Sequence, residues 1–246
     1  MNPWFRSPKT ALAGAVVAAL FAAAPARAAP ILDVVFGMDS SGSLGASGWT
    51  QEKNFVNAVI TTGLPSNQSQ AGVVEFATGA SEKIPLTLLD STTVSSLTSQ
   101  VSALPYLAGS TYTKDAVQTA INVFDNESAA GDLKLFMLIT DGVPNPPSSQ
   151  NPCGLKSTLD AKGIKTVIVG VGAAFNASVI ACLVDNPTTD IIQSVDFTSA
   201  DLNAIVASIQ SAANPVPEPA TWTLLALGAG AILRRRRKRK PTRSPD

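Results

Sequence analysis

The chain has 246 residues, of which 45% are hydrophobic, and this suits one medium-sized α/β domain with accessory segments. Residues 30–215 contain 16 acidic residues and seven lysines, so their net charge of −9 argues against binding to nucleic-acid phosphates. The chain contains no histidine, which excludes Ser-His-Asp and Cys-His catalytic arrangements and most zinc sites.

Residues 1–28 have the features of a secretory signal peptide. Arg6 and Lys9 precede an apolar run over residues 11–24, and Ala26 and Ala28 are small residues of the kind that a signal peptidase recognises. The alternative is a membrane-spanning helix, but the run is shorter than the roughly 20 residues that a span needs. The sequence therefore predicts export and cleavage after Ala28.

Residues 30–213 alternate between strand-like and helix-like patterns, and we expect one domain there. Apolar runs predict strands at Ile31–Met38, Ala71–Ala77, Ile84–Leu89, Leu133–Thr140, Thr166–Gly172 and Ile191–Val195. Helical spacing links Val56, Val59 and Ile60, then Val117, Ala120, Ile121 and Phe124, and finally Leu202, Ile205, Val206 and Ile209. Thr113 is predicted to cap the second helix, and Thr198–Asp201 resembles a capping box before the third. This alternation favours an α/β fold with a mostly parallel sheet and helices on both faces.

Three polar clusters in this domain predict a cation site. Ligands of open parallel sheets bind beyond the carboxyl ends of the strands, and the clusters fall at such ends or in loops that can reach them. Hard divalent cations such as Mg²⁺ take oxygen ligands, which carboxylates and hydroxyls supply. The predicted ligands are Asp39, Ser41, Ser43, Thr111 and Asp141. Two carboxylates and three neutral hydroxyls leave the ion able to accept a carboxylate from a partner. The alternative is a polar structural network without metal.

The same clusters resemble a known family. Asp-x-Ser-x-Ser after the first strand, a Gly-x-Thr-x-Thr loop and a later Thr-Asp-Gly are similar to the von Willebrand factor A family over about residues 31–213. The resemblance implies a Rossmann-like domain with a metal-ion-dependent adhesion site. It implies that Ser41 and Ser43 bind the ion directly and that Asp39 and Asp141 bind it directly or through water. It also implies that the Thr111 hydroxyl can bind the ion directly or move away from it. Mg²⁺ is the expected cofactor, with Mn²⁺ or Ca²⁺ as alternatives.

Cys153 and Cys182 are the two cysteines of the chain. In an exported protein two cysteines favour one disulfide, which would join the loop after Asp141 to the segment after the strand Thr166–Gly172. The alternative is a pair of unpaired buried thiols.

The C-terminal part of the chain has three segments of different composition. Residues 214–219 form a proline-rich linker, residues 220–233 a short hydrophobic segment and residues 234–246 a basic tail. Together they resemble a PEP-CTERM sorting signal of Gram-negative bacteria, with its motif at Pro217, Glu218 and Pro219. The resemblance implies cleavage by a membrane exosortase and membrane contact before processing. The alternative is a plain C-terminal anchor.

Three functions compete at this point. The leading hypothesis is a divalent-cation-dependent binding module, without enzymatic activity, at the cell surface or in the extracellular matrix, whose partner presents a carboxylate. The second is a structural envelope or matrix protein whose metal only stabilises the fold. The third is a metal-dependent hydrolase. The sequence offers no candidate general base beyond the predicted ligands, and this argues against it.

Overall fold

The computed structural model describes residues 31–172, 175–194, 203–207 and 209. The strands in these ranges are β1 (Leu32–Asp39), β2 (Ser69–Ala77), β3 (Gly79–Leu88), β4 (Leu133–Thr140), β5 (Ile164–Val171) and β6 (Ile191–Ser194). They form a sheet of order β3-β2-β1-β4-β5-β6. All neighbouring strands are parallel except β2 and β3, which are antiparallel. The predicted mostly parallel sheet is therefore confirmed.

Helices cover both faces of this sheet. They are α1 (Gly45–Ala58), α2 (Thr93–Ala103), α3 (Thr113–Glu127), α4 (Lys156–Ala161) and α5 (Pro187–Asp190). Consecutive side chains of a strand point to opposite faces, and β1 divides the core accordingly. Val34, Phe36 and Met38 pack in one cluster with α1 and α2, whereas Val35 packs with α3 and α4 on the other side. Both faces of β1 are thus buried, which explains its nearly continuous apolar sequence.

Two local predictions differ from the structure. Helix α2 was not expected, because its sequence is mostly Ser and Thr and only Leu97 and Val101 are buried. Thr113 does not cap α3: it is the first helical residue, and the cap position falls at Tyr112 without a side-chain hydrogen bond. Gln150 takes that role instead, since its backbone oxygen accepts from the N–H of Lys114 at 3.2 Å and its Oε1 from that of Asp115 at 3.3 Å.

Several predicted segments lie outside the described residues. They are the signal peptide (1–28), the capping box Thr198–Asp201, the linker (214–219), the hydrophobic segment (220–233) and the basic tail (234–246). Residues 203–207 are helical, in agreement with the third predicted helix, and Ile205 is buried. Among the described residues, every helix is too short or too polar to cross a membrane.

A carboxylate lies buried at the start of β1. Asp33 is 0% exposed and lies opposite Lys134 in the register of β1 and β4. Burial raises the pKa of Asp33 from 3.8 to about 6, against the opposing effect of the nearby Ser128 hydroxyl. The folded protein therefore holds this proton more tightly than the unfolded chain, and ionised Asp33 lowers the free energy of unfolding.

Replacing Asp33 with asparagine should make the protein more stable at neutral pH. Because the folded pKa lies above the unfolded one, the cost of Asp33 is absent below about pH 4 and complete above about pH 6. The expected gain at pH 7.5 is at most roughly 3 kcal/mol, and it should vanish near pH 4. Urea unfolding of Asp33→Asn and wild type at both pH values measures this, with the exposed Asp160→Asn as control. An equal difference at both pH values would contradict the assignment.

Candidate metal centre

Asp39 ends β1, and its side chain is held by the loop that follows β1 and by the adjacent strand β4. Its side chain is 0% exposed. Oδ1 accepts a hydrogen bond from the backbone N–H of Ser41 at 2.9 Å, and Oδ2 accepts one from Oγ1 of Thr140 at 2.6 Å. Since Thr140 ends the adjacent strand β4, the carboxylate is held at the carboxyl edge of the sheet.

A chain of hydroxyl contacts joins the β1–α1 loop to the loop after β4. The Oγ atoms of Ser41 and Ser43 lie 3.1 Å apart, and Oγ of Ser43 donates to Oδ1 of Asp141 at 2.9 Å. Ser41 is buried, whereas Ser43 is exposed and Asp141 is half-buried. The cluster is therefore closed on the side of the sheet and open on the side of Ser43.

Thr111 approaches the same cluster from a third loop. A Cβ atom placed on Gly142 would lie 3.6 Å from Oγ of Ser43 and 3.8 Å from Oγ1 of Thr111, so both hydroxyls border one small volume. The backbone oxygen of Thr111 accepts from the N–H of Asn145 at 2.9 Å. The structure thus brings all five predicted residues to one end of the sheet.

The loop over residues 104–112 supports the β1–α1 loop from outside. Its Gly109 oxygen accepts from the N–H of Gly42 at 2.8 Å, and the Tyr106 hydroxyl donates to the Ser41 oxygen at 3.0 Å. Gly109 must be a glycine here, because a Cβ would lie 2.7 Å from the backbone nitrogen of Thr78. These contacts fix the backbone from which the serine hydroxyls project.

Two further residues contact this centre and were not among the predicted ligands, although Thr140 belongs to the Thr-Asp-Gly motif. Thr140 orients Asp39, as described above, and Glu52 of α1 accepts from the Asp39 N–H through Oε1 at 2.9 Å. Glu52 is 0% exposed. Sequence reasoning missed Glu52 because a single acidic residue within an amphipathic helix carries no motif.

Burial disfavours the ionised forms of the carboxylates in this region. Burial raises the pKa of Asp39 to about 6, although hydrogen bonds from Ser41 and Thr140 oppose the shift. Burial and the charge of Asp39 raise the pKa of Glu52 well above its ordinary value. Burial also raises the pKa of Asp141, with the Ser43 hydroxyl opposing it. A cation close to these carboxylates would lower their pKa values again, since it favours their ionised forms.

The donor set fits a hard divalent cation. Asp39 and Asp141 supply carboxylate oxygens, and Ser41, Ser43 and Thr111 supply hydroxyl oxygens, which suit Mg²⁺, Mn²⁺ or Ca²⁺. Over the described part of the chain, no three Asp, Glu, His or Cys side chains form a metal-binding group by themselves. A cation at this position therefore depends on the hydroxyls.

A disulfide restrains the C-terminal end of the loop that follows Asp141. Cys153 and Cys182 form a disulfide with a sequence separation of 29 residues. Within that loop, Gln150 binds the first turn of α3, which begins two residues after Thr111. The disulfide and Gln150 thus restrain the segment that joins Asp141 to the rest of the fold.

Comparison with known proteins agrees with this architecture. The family model that describes the von Willebrand factor type A domain matches residues 33–211, so the chain belongs to this family. A second model, the PEP-CTERM protein-sorting motif, matches residues 215–238. That motif implies export to the envelope or surface of a Gram-negative bacterium and processing by an exosortase. The two matches together indicate an exported module of the adhesion or matrix type.

The curated relatives match this chain over only a small part of their own length. The collagen alpha-2(VI) chain of Gallus gallus is 33% identical over 154 residues, which are 59% of this chain and 15% of the relative. The collagen alpha-1(XXI) chain of Xenopus laevis is 26% identical over 158 residues, 64% of this chain and 16% of the relative. This chain therefore spans about a sixth or less of the curated relatives it matches.

Solved structures show the same fold. Proximal thread matrix protein 1 from the mussel byssus superimposes with a TM-score of 0.62 at 18% identity, covering 75% of this chain and 48% of that one. A second structure of that protein, described with a zinc-occupied MIDAS motif, gives 0.60 at 21% identity and covers 74% and 46%. At these identities the likeness concerns the fold.

Proposed function

We propose that the chain is an exported module that binds a protein or matrix ligand in a divalent-cation-dependent way. The cation is held by Asp39, Ser41, Ser43, Thr111 and Asp141. The observation that carries this proposal is the convergence of carboxylate and hydroxyl oxygens from three loops at one end of the sheet. The membership of the family supports it.

The residues have different tasks in this proposal. Asp39 and Asp141 balance the charge of the cation, and Ser41, Ser43 and Thr111 add neutral oxygens. The bound cation supplies a positive charge for the carboxylate of a partner. Gly42 and Ser43 are exposed beside the cluster, so a partner has access from that side.

Mg²⁺ is our proposed ion, with Mn²⁺ or Ca²⁺ as alternatives. Mg²⁺ retains several waters and needs few protein ligands, which agrees with a half-open cluster of two carboxylates and three hydroxyls. The zinc-occupied MIDAS motif of the mussel protein supports a divalent ion in this fold.

We further propose how the chain reaches its place of action. The signal peptide over residues 1–28 directs export, and the segment 220–233 holds the protein at the membrane before processing. An exosortase then cleaves near Pro217, Glu218 and Pro219. The mature module remains at the cell surface or in the extracellular matrix.

Attachment to matrix tests this function directly. The processed protein is added to the cell-free extracellular matrix of the producing culture, and the retained fraction is measured with Mg²⁺ and with EDTA. We expect retention that needs Mg²⁺, and loss of most of it in Thr111→Ala, because that hydroxyl borders the cluster. Cation affinity should fall about tenfold in this variant.

Matched controls separate adhesion from a purely structural metal. Thr119→Ala removes a threonine from α3, the helix that follows the Thr111 loop, and should retain normal attachment, since Thr119 is not a candidate ligand. If the metal only stabilises the fold, EDTA lowers the melting temperature while folded wild type and Thr111→Ala attach equally. Equal retention with Mg²⁺ and EDTA would refute the proposed function.

A further inference from the structure

A carboxylate lies directly behind the candidate cation site. Glu52 projects from α1 between the buried apolar residues Trp49, Phe55 and Val56. Its Oε1 accepts from the backbone N–H of Asp39 at 2.9 Å, and its Oε2 is buried without a hydrogen-bond partner among the described residues. Packing alone does not account for an acidic side chain at this position, since its helical neighbours are apolar.

The charges around Glu52 are negative. Asp39, Asp141 and Glu75 all act on it with repulsive electrostatics. Within the described ranges no lysine or arginine nitrogen forms an ion pair with Glu52, whereas Glu75 has Lys83 at 3.4 Å. A buried carboxylate without a cationic partner is charged only where another group, such as a bound cation, compensates its charge, and otherwise it holds its proton.

We propose that Glu52 is a positioning residue of the cation site. It holds the Asp39 backbone through the hydrogen bond to its N–H, and, when the cation is bound, it adds a third negative charge behind the two proposed carboxylate ligands. This role rests on the proposed function, because it assigns the divalent cation as the compensating charge. Glu52 thereby raises the affinity for the ion.

The charge of Glu52 and its hydrogen bond to the Asp39 N–H can be tested separately by substitution. Glutamine keeps an oxygen that accepts from the Asp39 N–H but removes the charge. Methionine fills a similar volume and removes both the charge and the acceptor. If Glu52 served packing and loop geometry alone, glutamine would be neutral for cation affinity.

Calorimetry with Mn²⁺ and Mg²⁺ on the full mature protein tests the proposal, together with the melting temperature in EDTA. Glu52→Gln should lower cation affinity by about tenfold or more, while its melting temperature without metal stays equal to or above that of wild type. Glu52→Met should lower the affinity further. Glu82→Gln, an exposed carboxylate on the edge strand β3, should bind as wild type does.

The outcomes separate this inference from the proposed function. Wild-type protein that binds the cation while folded Glu52→Gln and Glu52→Met bind it equally well overturns the role of Glu52 and leaves the site intact. Wild-type protein that binds neither ion overturns the proposed function and this role together. If Glu52→Gln does not fold, the affinity of Glu52→Met decides.

Discussion

Asp141→Ala is expected to reduce the affinity for Mg²⁺ or Mn²⁺ by on the order of 100-fold or more, because it removes one of the two carboxylates proposed to bind the ion. The fold should survive this change. Asp141 is half-buried, and its side chain accepts a hydrogen bond from the exposed Ser43, so the loss of stability should be about 1 kcal/mol. Titration calorimetry on the metal-free protein measures the affinity, and thermal unfolding in EDTA measures the stability.

Asp141 is a sharper test than Asp39. The buried Asp39 carboxylate also accepts from the Ser41 N–H and the Thr140 hydroxyl, so its removal disturbs the loop as well as the ion. Asp125→Ala is a suitable control, because Asp125 is an exposed carboxylate that pairs with Lys162. A folded Asp141→Ala variant with wild-type cation affinity would show that the ion, if bound at all, lies elsewhere.

Removal of the Cys153–Cys182 disulfide should cause the largest loss of stability. The bond closes a loop with a sequence separation of 29 residues. The chain-entropy model then gives roughly 3–4 kcal/mol of unfolding free energy for the cross-link. Urea unfolding of the Cys153→Ser, Cys182→Ser double variant, compared with oxidised wild type, measures the difference.

Reduction provides an independent form of the same experiment. Wild type unfolded in the presence of a reductant should have the midpoint of the double serine variant, since both lack the cross-link. We also expect weaker cation binding in the double variant, because the loop after Asp141 loses its anchor. Equal unfolding midpoints for oxidised and reduced wild type would contradict the predicted contribution.

The strands were predictable where both of their faces are buried. Strand β4 has the predicted bounds, Leu133–Thr140, because its apolar sequence is nearly continuous. Strand β3 begins at Gly79, five residues before the predicted start at Ile84. Its first half contains the polar residues Ser81 and Lys83, since this strand lies at the edge of the sheet and pairs on one side only. Because the first half of β3 is exposed and polar, it lacks the apolar run from which the other strands were predicted.

The candidate site was predictable only as far as its local motifs extend. The five ligand candidates follow from short patterns near strand ends and a helix start. Glu52 lies 13 residues after Asp39 and meets it only because α1 packs against β1. Gln150 lies 35 residues after Asp115 and replaces Thr113 as the residue that binds the start of α3. Such contacts arise from the tertiary fold, and short sequence motifs do not reveal them.

The parallel pairing of β1 with β4 sets an order of assembly. Leu32 of β1 lies opposite Leu133, about a hundred residues later in the chain. While the chain is synthesised from its N-terminus, β1 has β2 as its neighbour until the second half of the domain is made. Contacts between such distant residues also form slowly. The five candidate ligands of the proposed cation therefore come together only after Asp141 has been synthesised, so this end of the sheet is completed late.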